Sequence, residues 1–235
     1  MAEEQQVRYS TNVEISGELL DLEGKAVADI GCGEGRFTRI LAARAAFVTG
    51  IDINEDSLAR ARRHPDNAGM NIAWRNARAE DMPFDDASLD VVVFSNSLHH
   101  VAPEMMAKAM AEAHRVLKPG GLLYVMEPVA QGRYFEATRR VNDERAVRVQ
   151  AQAAVEGALR GGFAKLTELT YAARREYDSF EEWAEAQVRR GEKRRRLLEA
   201  DPEGARRAFI AGARQEDGKL VFDQMSRVAL LKKAA

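Results

Sequence analysis

Two aspartates bracket a stretch in which glycine occupies every second position. Asp29 lies two residues before the trio Gly31, Gly33 and Gly35, and Asp52 follows 17 residues after the last of these glycines. A carboxylate at the end of an apolar strand is costly to bury without a partner, so Asp29 suits a ligand ammonium group. Asp52, at the end of the next apolar run, suits the two hydroxyls of a ribose. The glycines alone predict no more than a tight turn between a strand and a helix.

Two phosphate-binding alternatives fit this stretch less well. A dinucleotide-binding loop has the spacing G-x-G-x-x-G, whereas this loop reads G-x-G-x-G and has an acidic residue beside it that would repel a diphosphate. A P-loop needs Lys and Ser/Thr after its last glycine, where this chain has Arg36 and Phe37. A ligand with an amine at one end and a ribose in the middle is a nucleoside with an amino acid tail, which describes S-adenosylmethionine (SAM).

Alternating apolar runs and helical patterns predict the elements that position these residues. Five strands are expected, and helical patterns separate them, over residues 25–30, 46–53, 71–76, 88–97 and 122–128. This alternation is typical of a doubly wound sheet that binds its ligand at the carboxyl ends of the strands. We predict an α/β, Rossmann-like, seven-stranded and mostly parallel sheet with an antiparallel edge strand and helices on both faces.

The second half of the chain predicts a cap and the remaining strands. One domain over 1–235 is expected, with a SAM-binding core at 24–128. Helical cap segments are expected at 131–160 and 179–215, where 179–200 reads as one helix, and late strands at 163–178 and 219–233.

Composition narrows the class of protein. The 235 residues include 35 basic and 37 acidic side chains, a net charge of −2 that does not suggest a polyanion-binding protein. The basic run at 189–196 follows an acidic segment and predicts a solvated helix face. The single cysteine, Cys32, excludes an internal disulfide and a zinc cluster, so no metal is expected. Without a signal-peptide pattern or an apolar run long enough for a membrane span, a cytoplasmic protein is expected.

Four segments carry a resemblance to a known family. In order and spacing, "VADIGCGEGRFT", "VTGIDINEDSLARAR", "AEDMPFDDASLDVVVFSNSLHHV" and "AEAHRVLKPGGLLYVMEP" resemble class I SAM-dependent methyltransferases. The nearest group is methyltransferase type 11, which includes ubiquinone and menaquinone biosynthesis methyltransferases. The resemblance spans about residues 24–128 and implies the fold and the cofactor, but it says almost nothing about the substrate.

The resemblance also implies roles around the methionyl and ribose parts of the cofactor. Asp29 and the backbone of Gly31 and Gly33 would hold the methionyl part, and Asp52 would take the ribose hydroxyls. Cys32 would pack beneath the cofactor, because nothing near it in the sequence would lower the pKa of its thiol.

Further residues would contact the adenine and the substrate side. Ile53 would flank the adenine, Ala79 would offer its backbone to the adenine edge, and Ser95 and Leu98 would line the cofactor. One position departs from the family, which often has an Asp that contacts the adenine amino group where this chain has Arg78. Arginine cannot accept a hydrogen bond, so either Glu80 or Asp81 would replace this contact, backbone groups would suffice, or the affinity for SAM would be weaker.

The substrate side offers two histidines, a glutamate and a tyrosine. His99 and His100 follow the fourth strand, and a histidine there could deprotonate a phenol or an enol, with His100 as the first choice. A structural packing role is the alternative for both. Glu127 ends the fifth strand and could orient a substrate or cap a loop. Tyr9 could close over the cofactor, or simply be exposed.

The expected function is methyl transfer from SAM to a small-molecule metabolite by in-line displacement, with S-adenosylhomocysteine as the product. A nucleic-acid methyltransferase is the second hypothesis, although the sequence has no Asn-Pro-Pro-Tyr-type motif, no catalytic cysteine for pyrimidine carbon and no appended basic domain. A binding protein that keeps the fold without catalysis is the third, and Arg78 is the feature that favours it.

Overall fold

The computed structural model describes residues 7–234 and places eight strands in one sheet. They are β1 (Ala26–Ile30), β2 (Phe47–Asp52), β3 (Ile72–Asn76), β4 (Leu89–Ser95), β5 (Leu117–Pro128), β6 (Phe163–Tyr177), β7 (Arg214–Glu216) and β8 (Lys219–Lys233). Seven of them follow the order β3-β2-β1-β4-β5-β8-β6, and β7 pairs with β8 off this path. The predicted mostly parallel sheet of seven strands is confirmed, with the three-residue β7 added.

The strand pairings create the crevice that doubly wound folds use for ligands. β1 pairs in parallel with β2 on one side and β4 on the other, β3 extends the sheet beyond β2, and β5 extends it beyond β4. The chain order therefore reverses beside β1, and ligands of such sheets bind at the carboxyl ends of the strands at this point. The short strand β7, which the sequence did not predict, pairs with β8 in antiparallel orientation.

Nine helices accompany the strands in the described residues. They are α1 (Asn12–Leu19), α2 (Arg36–Ala42), α3 (Glu55–Arg63), α4 (Pro103–Val116), α5 (Gly132–Thr138), α6 (Arg145–Ala158), α7 (Phe180–Arg189), α8 (Glu192–Ala200) and α9 (Pro202–Gly212). Across residues 7–234, none of the helices has the length and apolar character needed to cross a bilayer.

Two local expectations are wrong. Residues 179–200 were expected to form one helix, but the chain breaks between α7 and α8 at Gly191, whose φ of 141° is incompatible with a continuing helix. The fifth strand was expected to begin at residue 122, but β5 begins at Leu117 and runs through the Lys-Pro-Gly-Gly segment. It does so with a register shift opposite Leu89 and Val91, which accommodates the extra residues.

The contacts of the chain fall into two compact units. The first comprises Asn12–Glu127, Val149–Leu169 and residues 227–234, and we call it the sheet unit. Its core includes strand residues such as Ile30 and Phe94 together with Met106, Met110 and Ala113, which recur on one face of α4. The second, which we call the cap unit, comprises residues 7–11, Pro128–Arg148 and Thr170–Ser226. Its core is an aromatic cluster that includes Phe180, Trp183, Phe209 and Phe222.

Candidate cofactor and transfer site

The glycine loop follows β1 and is held against β2 by backbone hydrogen bonds. The N–H groups of Gly31 and Cys32 both donate to the carbonyl of Ile51, at 2.8 and 3.0 Å. Gly31 has a φ of 72°, and a Cβ there would lie 2.6 Å from Cβ of Ser97. Both the left-handed backbone and the close approach of Ser97 therefore require glycine at this position.

Asp52 joins the glycine loop to the end of β2. One carboxylate oxygen accepts from the N–H of Gly33 at 2.7 Å, and the other accepts from the N–H of Asn54 at 2.8 Å. Asn54 in turn caps α3, since its side chain accepts from the N–H of Ser57. Each carboxylate oxygen can accept a further hydrogen bond, so a carboxylate oriented in this way can take two neighbouring hydroxyls. We call residues 29–35 with 52–54 the glycine-loop end.

Asp29 lies buried at the end of β1, with 1% of its surface exposed. The hydroxyl of Thr38, in α2, donates to its carboxylate at 2.6 Å. Burial raises the pKa of Asp29 to about 6, the nearby charge of Asp52 adds to this rise, and the bond from Thr38 opposes it. A cation near this carboxyl would favour its ionised form. The predicted contact between Asp29 and a ligand ammonium group stays a prediction.

The surroundings of Cys32 disfavour the thiolate form of its side chain. Burial raises the pKa of its thiol well above the usual range, and the negative charges of Asp29 and Asp52 raise it further. A thiol in such surroundings does not form the thiolate that nucleophilic chemistry needs. The packing is tight, because a Cβ on Gly50 would lie 3.0 Å from the Cys32 sulfur.

The residues predicted to flank the adenine lie at the ends of β2 and β3. Ile53 keeps 64% of its surface exposed, which leaves an apolar face beside Asp52. Ala79 is half-buried between Arg78 and Glu80, whose side chains form an ion pair at 3.1 Å. Arg78 is 67% exposed and Glu80 only 13%, so the acidic partner is the more enclosed of the two. Their predicted contacts with adenine remain predictions.

Glu127 organises the end of β4 from its position near the end of β5. One of its carboxylate oxygens accepts from the N–H groups of Ser97 and Leu98, at 3.2 and 2.8 Å. The other contacts Nδ1 of His99, which is buried. His100 is exposed, and its ring centroid lies 4.0 Å from that of His99. Glu127 therefore caps this loop and also fixes the ring of His99.

Two residues of this region were missed by the sequence analysis. The amide nitrogen of Asn12 donates to the Ser95 hydroxyl at 2.9 Å, and its oxygen accepts from the Tyr124 hydroxyl at 2.5 Å. The other is Thr38, which holds Asp29. Thr38 lies in the first turn of the helix after the glycine loop, and this position could have indicated that it contacts Asp29. Asn12 is 83 residues away from Ser95, so no local sequence pattern indicates their contact.

Tyr9 belongs to the cap unit and is 59% exposed. Its hydroxyl donates to a carboxylate oxygen of Asp223 at 3.1 Å, and its backbone forms a parallel bridge with Ala172 of β6. These contacts attach the N-terminal segment to the sheet. The predicted closure of Tyr9 over the cofactor stays a prediction.

Part of the sheet unit is similar in sequence to known methyltransferases. A family model described as a methyltransferase domain matches residues 27–121. The ubiquinone biosynthesis O-methyltransferases of Pseudomonas aeruginosa and Pseudomonas paraeruginosa are 39% and 38% identical to this chain over 109 residues. The matched part is 46% of this chain and 46% of each relative, so it spans about half the length of these curated relatives.

Solved structures share the fold over nearly the whole chain. A candidate methyltransferase from Bacillus halodurans has a TM-score of 0.70 at 22% identity, and the match covers 96% of this chain and 100% of that one. The YcgJ protein of Bacillus subtilis has a TM-score of 0.66 at 16% identity, with 95% and 98% covered. The [4+2]-cyclase SpnF has a TM-score of 0.64 at 18% identity, with 97% and 86% covered.

The family model matches the segment that contains the glycine loop, Asp52 and β4, and the structural neighbours share the fold. Residues 27–121 therefore match a methyltransferase domain family, and the chain shares its fold with the candidate methyltransferase from Bacillus halodurans.

Proposed function

We propose that this protein transfers the methyl group of SAM to a hydroxyl oxygen of a small molecule. The contact between Glu127 and Nδ1 of His99 carries this proposal, because it couples a histidine to an orienting carboxylate. This contact lies at the carboxyl ends of β4 and β5. Asp29 of β1 and Asp52 of β2 lie at the same end of the sheet. A site that only had to bind SAM would not require such a pair.

The glycine-loop end has the chemistry that SAM requires. Asp52 would hold the ribose hydroxyls, Asp29 and the backbone of Gly31 and Gly33 would hold the methionyl part, and exposed Ile53 would cover one face of the adenine. When bound, SAM supplies an electrophilic methyl group on its sulfonium. The tasks left to the protein are to position the acceptor and to remove its proton.

The His99–Glu127 pair would perform the proton transfer. A carboxylate is an acceptor only, so in a neutral His99 the proton would lie on Nδ1 and the lone pair on Nε2. Nε2 would take the proton that the acceptor hydroxyl loses on methylation, and Glu127 would stabilise the imidazolium that results. The sequence favoured His100 as the base. The contact with Glu127 is our reason for assigning this role to His99.

The relatives support oxygen as the methylated atom, since the curated proteins that match this chain are named O-methyltransferases. The fold by itself does not require methyl transfer, since a [4+2]-cyclase shares it. A test of the proposal must therefore measure methyl transfer and SAM binding separately.

The test follows S-adenosylhomocysteine release from SAM with a panel of hydroxylated aromatic and aliphatic compounds, each paired with its methyl ether. We expect product with at least one hydroxyl compound and none with its ether. His99→Gln should then lower kcat by about 100-fold or more, with the Kd for SAM nearly unchanged, because removal of a general base costs this much. His100→Gln is the matched variant and should lose much less activity.

Two results would contradict the proposal. One is tight SAM binding without release of S-adenosylhomocysteine for any hydroxyl compound of the panel, which would favour a non-methylating use of the fold. The other is full turnover by His99→Gln, which would remove the assigned base.

A further inference from the structure

Four polar side chains meet inside the cap unit, and we call them the arginine cluster: Glu144, Arg148, Gln187 and Arg194. One oxygen of Glu144 accepts from Arg148 at 2.6 Å, and the other accepts from Arg194 at 3.4 Å. Arg194 also donates to the side-chain oxygen of Gln187 at 3.0 Å. The cluster thus joins the start of α6 to α7 and α8 through side chains alone.

The cluster is enclosed, and it holds one positive charge in excess. The side chains of Arg148 and Arg194 are 13% and 18% exposed, that of Glu144 is 15% exposed, and Gln187 is buried. Two guanidinium groups therefore share one carboxylate. Enclosing an unbalanced charge is costly, and an anion of single charge would balance it.

Hydrogen-bond donors in the cluster are also in excess. Within residues 7–234, Nε of Arg148 is buried and has no hydrogen-bond partner. Burial lowers the pKa of Arg194, with the charges of Arg190 and Arg148 acting in the same direction and those of Glu144 and Tyr134 opposing it. A second carboxylate would relieve each of these conditions.

The same helix offers a contrast. Arg195 and Arg196 do not belong to the cluster. Their side chains are 51% and 76% exposed and pair with Glu192 on the surface. The predicted solvated face of the basic run therefore describes these two arginines, while Arg194 lies inward. Among the charged side chains, arginine has the planar fork that best matches a carboxylate, so its enclosure at this position is informative.

We propose that the arginine cluster binds the carboxylate group of a small molecule, with Arg148 and Arg194 as the donors. The excess of a single positive charge favours a monoanionic carboxylate over a doubly charged phosphate. This assignment goes beyond the proposed methyl transfer and does not depend on it.

The test titrates the full-length protein with benzoate, with its uncharged analogue benzamide, and with inorganic phosphate, using calorimetry or ligand-observed NMR. We expect saturable benzoate binding with a Kd of about 1 mM or tighter and at least about tenfold weaker binding of benzamide and phosphate. Arg194→Lys keeps the charge but loses the fork, so it should weaken benzoate binding by about tenfold or more. Arg148→Lys, on a different helix, should do the same, and Arg196→Lys is the matched control with an expected change of less than about twofold.

Far-UV circular dichroism and thermal unfolding of each variant report whether the variant is folded, and SAM binding is measured in parallel. The proposal is overturned if the wild type does not bind benzoate, if benzamide or phosphate binds as tightly, or if both lysine variants bind benzoate like the control. Loss of SAM binding in the wild type would refute the proposed function without touching this site, so the two failures can be distinguished.

Discussion

The glycine-loop end and the arginine cluster both enclose charge, but they hold it in opposite ways. At the glycine-loop end, the carboxylate of Asp52 accepts from the backbone N–H groups of Gly33 and Asn54. In the arginine cluster, the carboxylate of Glu144 accepts from two guanidinium groups, one of them 50 residues away along the chain. The first is an acidic site built on the backbone, and the second is a site of net positive charge built from side chains.

Because of this difference, we expect the two regions to respond to different kinds of substitution. A backbone donor stays in place whatever side chain it carries, so the geometry of Asp52 depends on glycine positions and on the ends of β1 and β2. A site built from side chains depends on the identity of each member, because each one is the partner of another. We therefore expect backbone changes to disrupt the first region and conservative side-chain changes to disrupt the second.

The largest effect on stability is expected from Gly31→Ala, which attacks the backbone of the glycine-loop end. The new Cβ would lie 2.6 Å from Cβ of Ser97 on a backbone with φ of 72°. Overpacking and left-handed strain together should lower the free energy of unfolding by about 2–4 kcal/mol. Gly17→Ala is the control, because it lies in α1 with open space around it and should be neutral or slightly stabilising. Urea denaturation measures both, and equal stabilities would contradict the backbone account.

The ionisation of Asp29 is expected to have a smaller effect on the free energy of unfolding. It tests whether the glycine-loop end, unlike the arginine cluster, encloses a carboxyl group without a cationic partner. The pKa of Asp29 is raised from 3.8 to about 6 in the folded chain. The folded state therefore holds this proton more tightly than the unfolded state, and the contribution of Asp29 to stability is lost as the pH rises from about 4 to above 6. For a shift of about two units the loss is up to about 3 kcal/mol.

Asp29→Asn has no proton to release, so the difference in unfolding free energy between this variant and the wild type should grow in favour of the variant across that pH window. Urea denaturation at several pH values measures the difference. Asp56→Asn, at an exposed position in the first turn of α3, should show no such trend. Parallel pH profiles for wild type and Asp29→Asn would mean that burial does not raise the pKa of Asp29.

The sequence predicted the parts of the fold that local patterns determine. The five parallel strands and the two late strands were found because apolar runs between helical patterns mark buried strands. The break at Gly191 was missed because the helical pattern continues on both sides of it. The early start of β5 at Leu117 was missed because Pro and Gly normally end an element, and only the register shift opposite Val91 accommodates them.

In the candidate sites, too, the sequence predicted the residues that local patterns mark and missed those that depend on contacts between distant segments. The family resemblance and the spacing of acids and glycines predicted one site from Asp29, Gly31, Gly33 and Asp52. In the structure these residues lie at the carboxyl ends of the neighbouring strands β1 and β2. The inward orientation of Arg194 could not be predicted, since Arg195 and Arg196 beside it have the same charge and differ only in helical phase. Glu127 in β5 contacts His99 in the turn after β4, and the two residues are 28 positions apart along the chain, so the sequence showed both residues without showing their pairing.

The most direct test of the account is a calorimetric titration with SAM of the wild type, Asp52→Asn and the control Asp56→Asn. An amide at position 52 would place a donor against one of two backbone N–H groups, so we expect Asp52→Asn to weaken SAM binding by about 100-fold or more. The control should bind like the wild type, and benzoate binding at the arginine cluster should be unchanged in both variants. No SAM binding by the wild type, or equal binding by Asp52→Asn, would contradict the central claim that the glycine-loop end holds the cofactor.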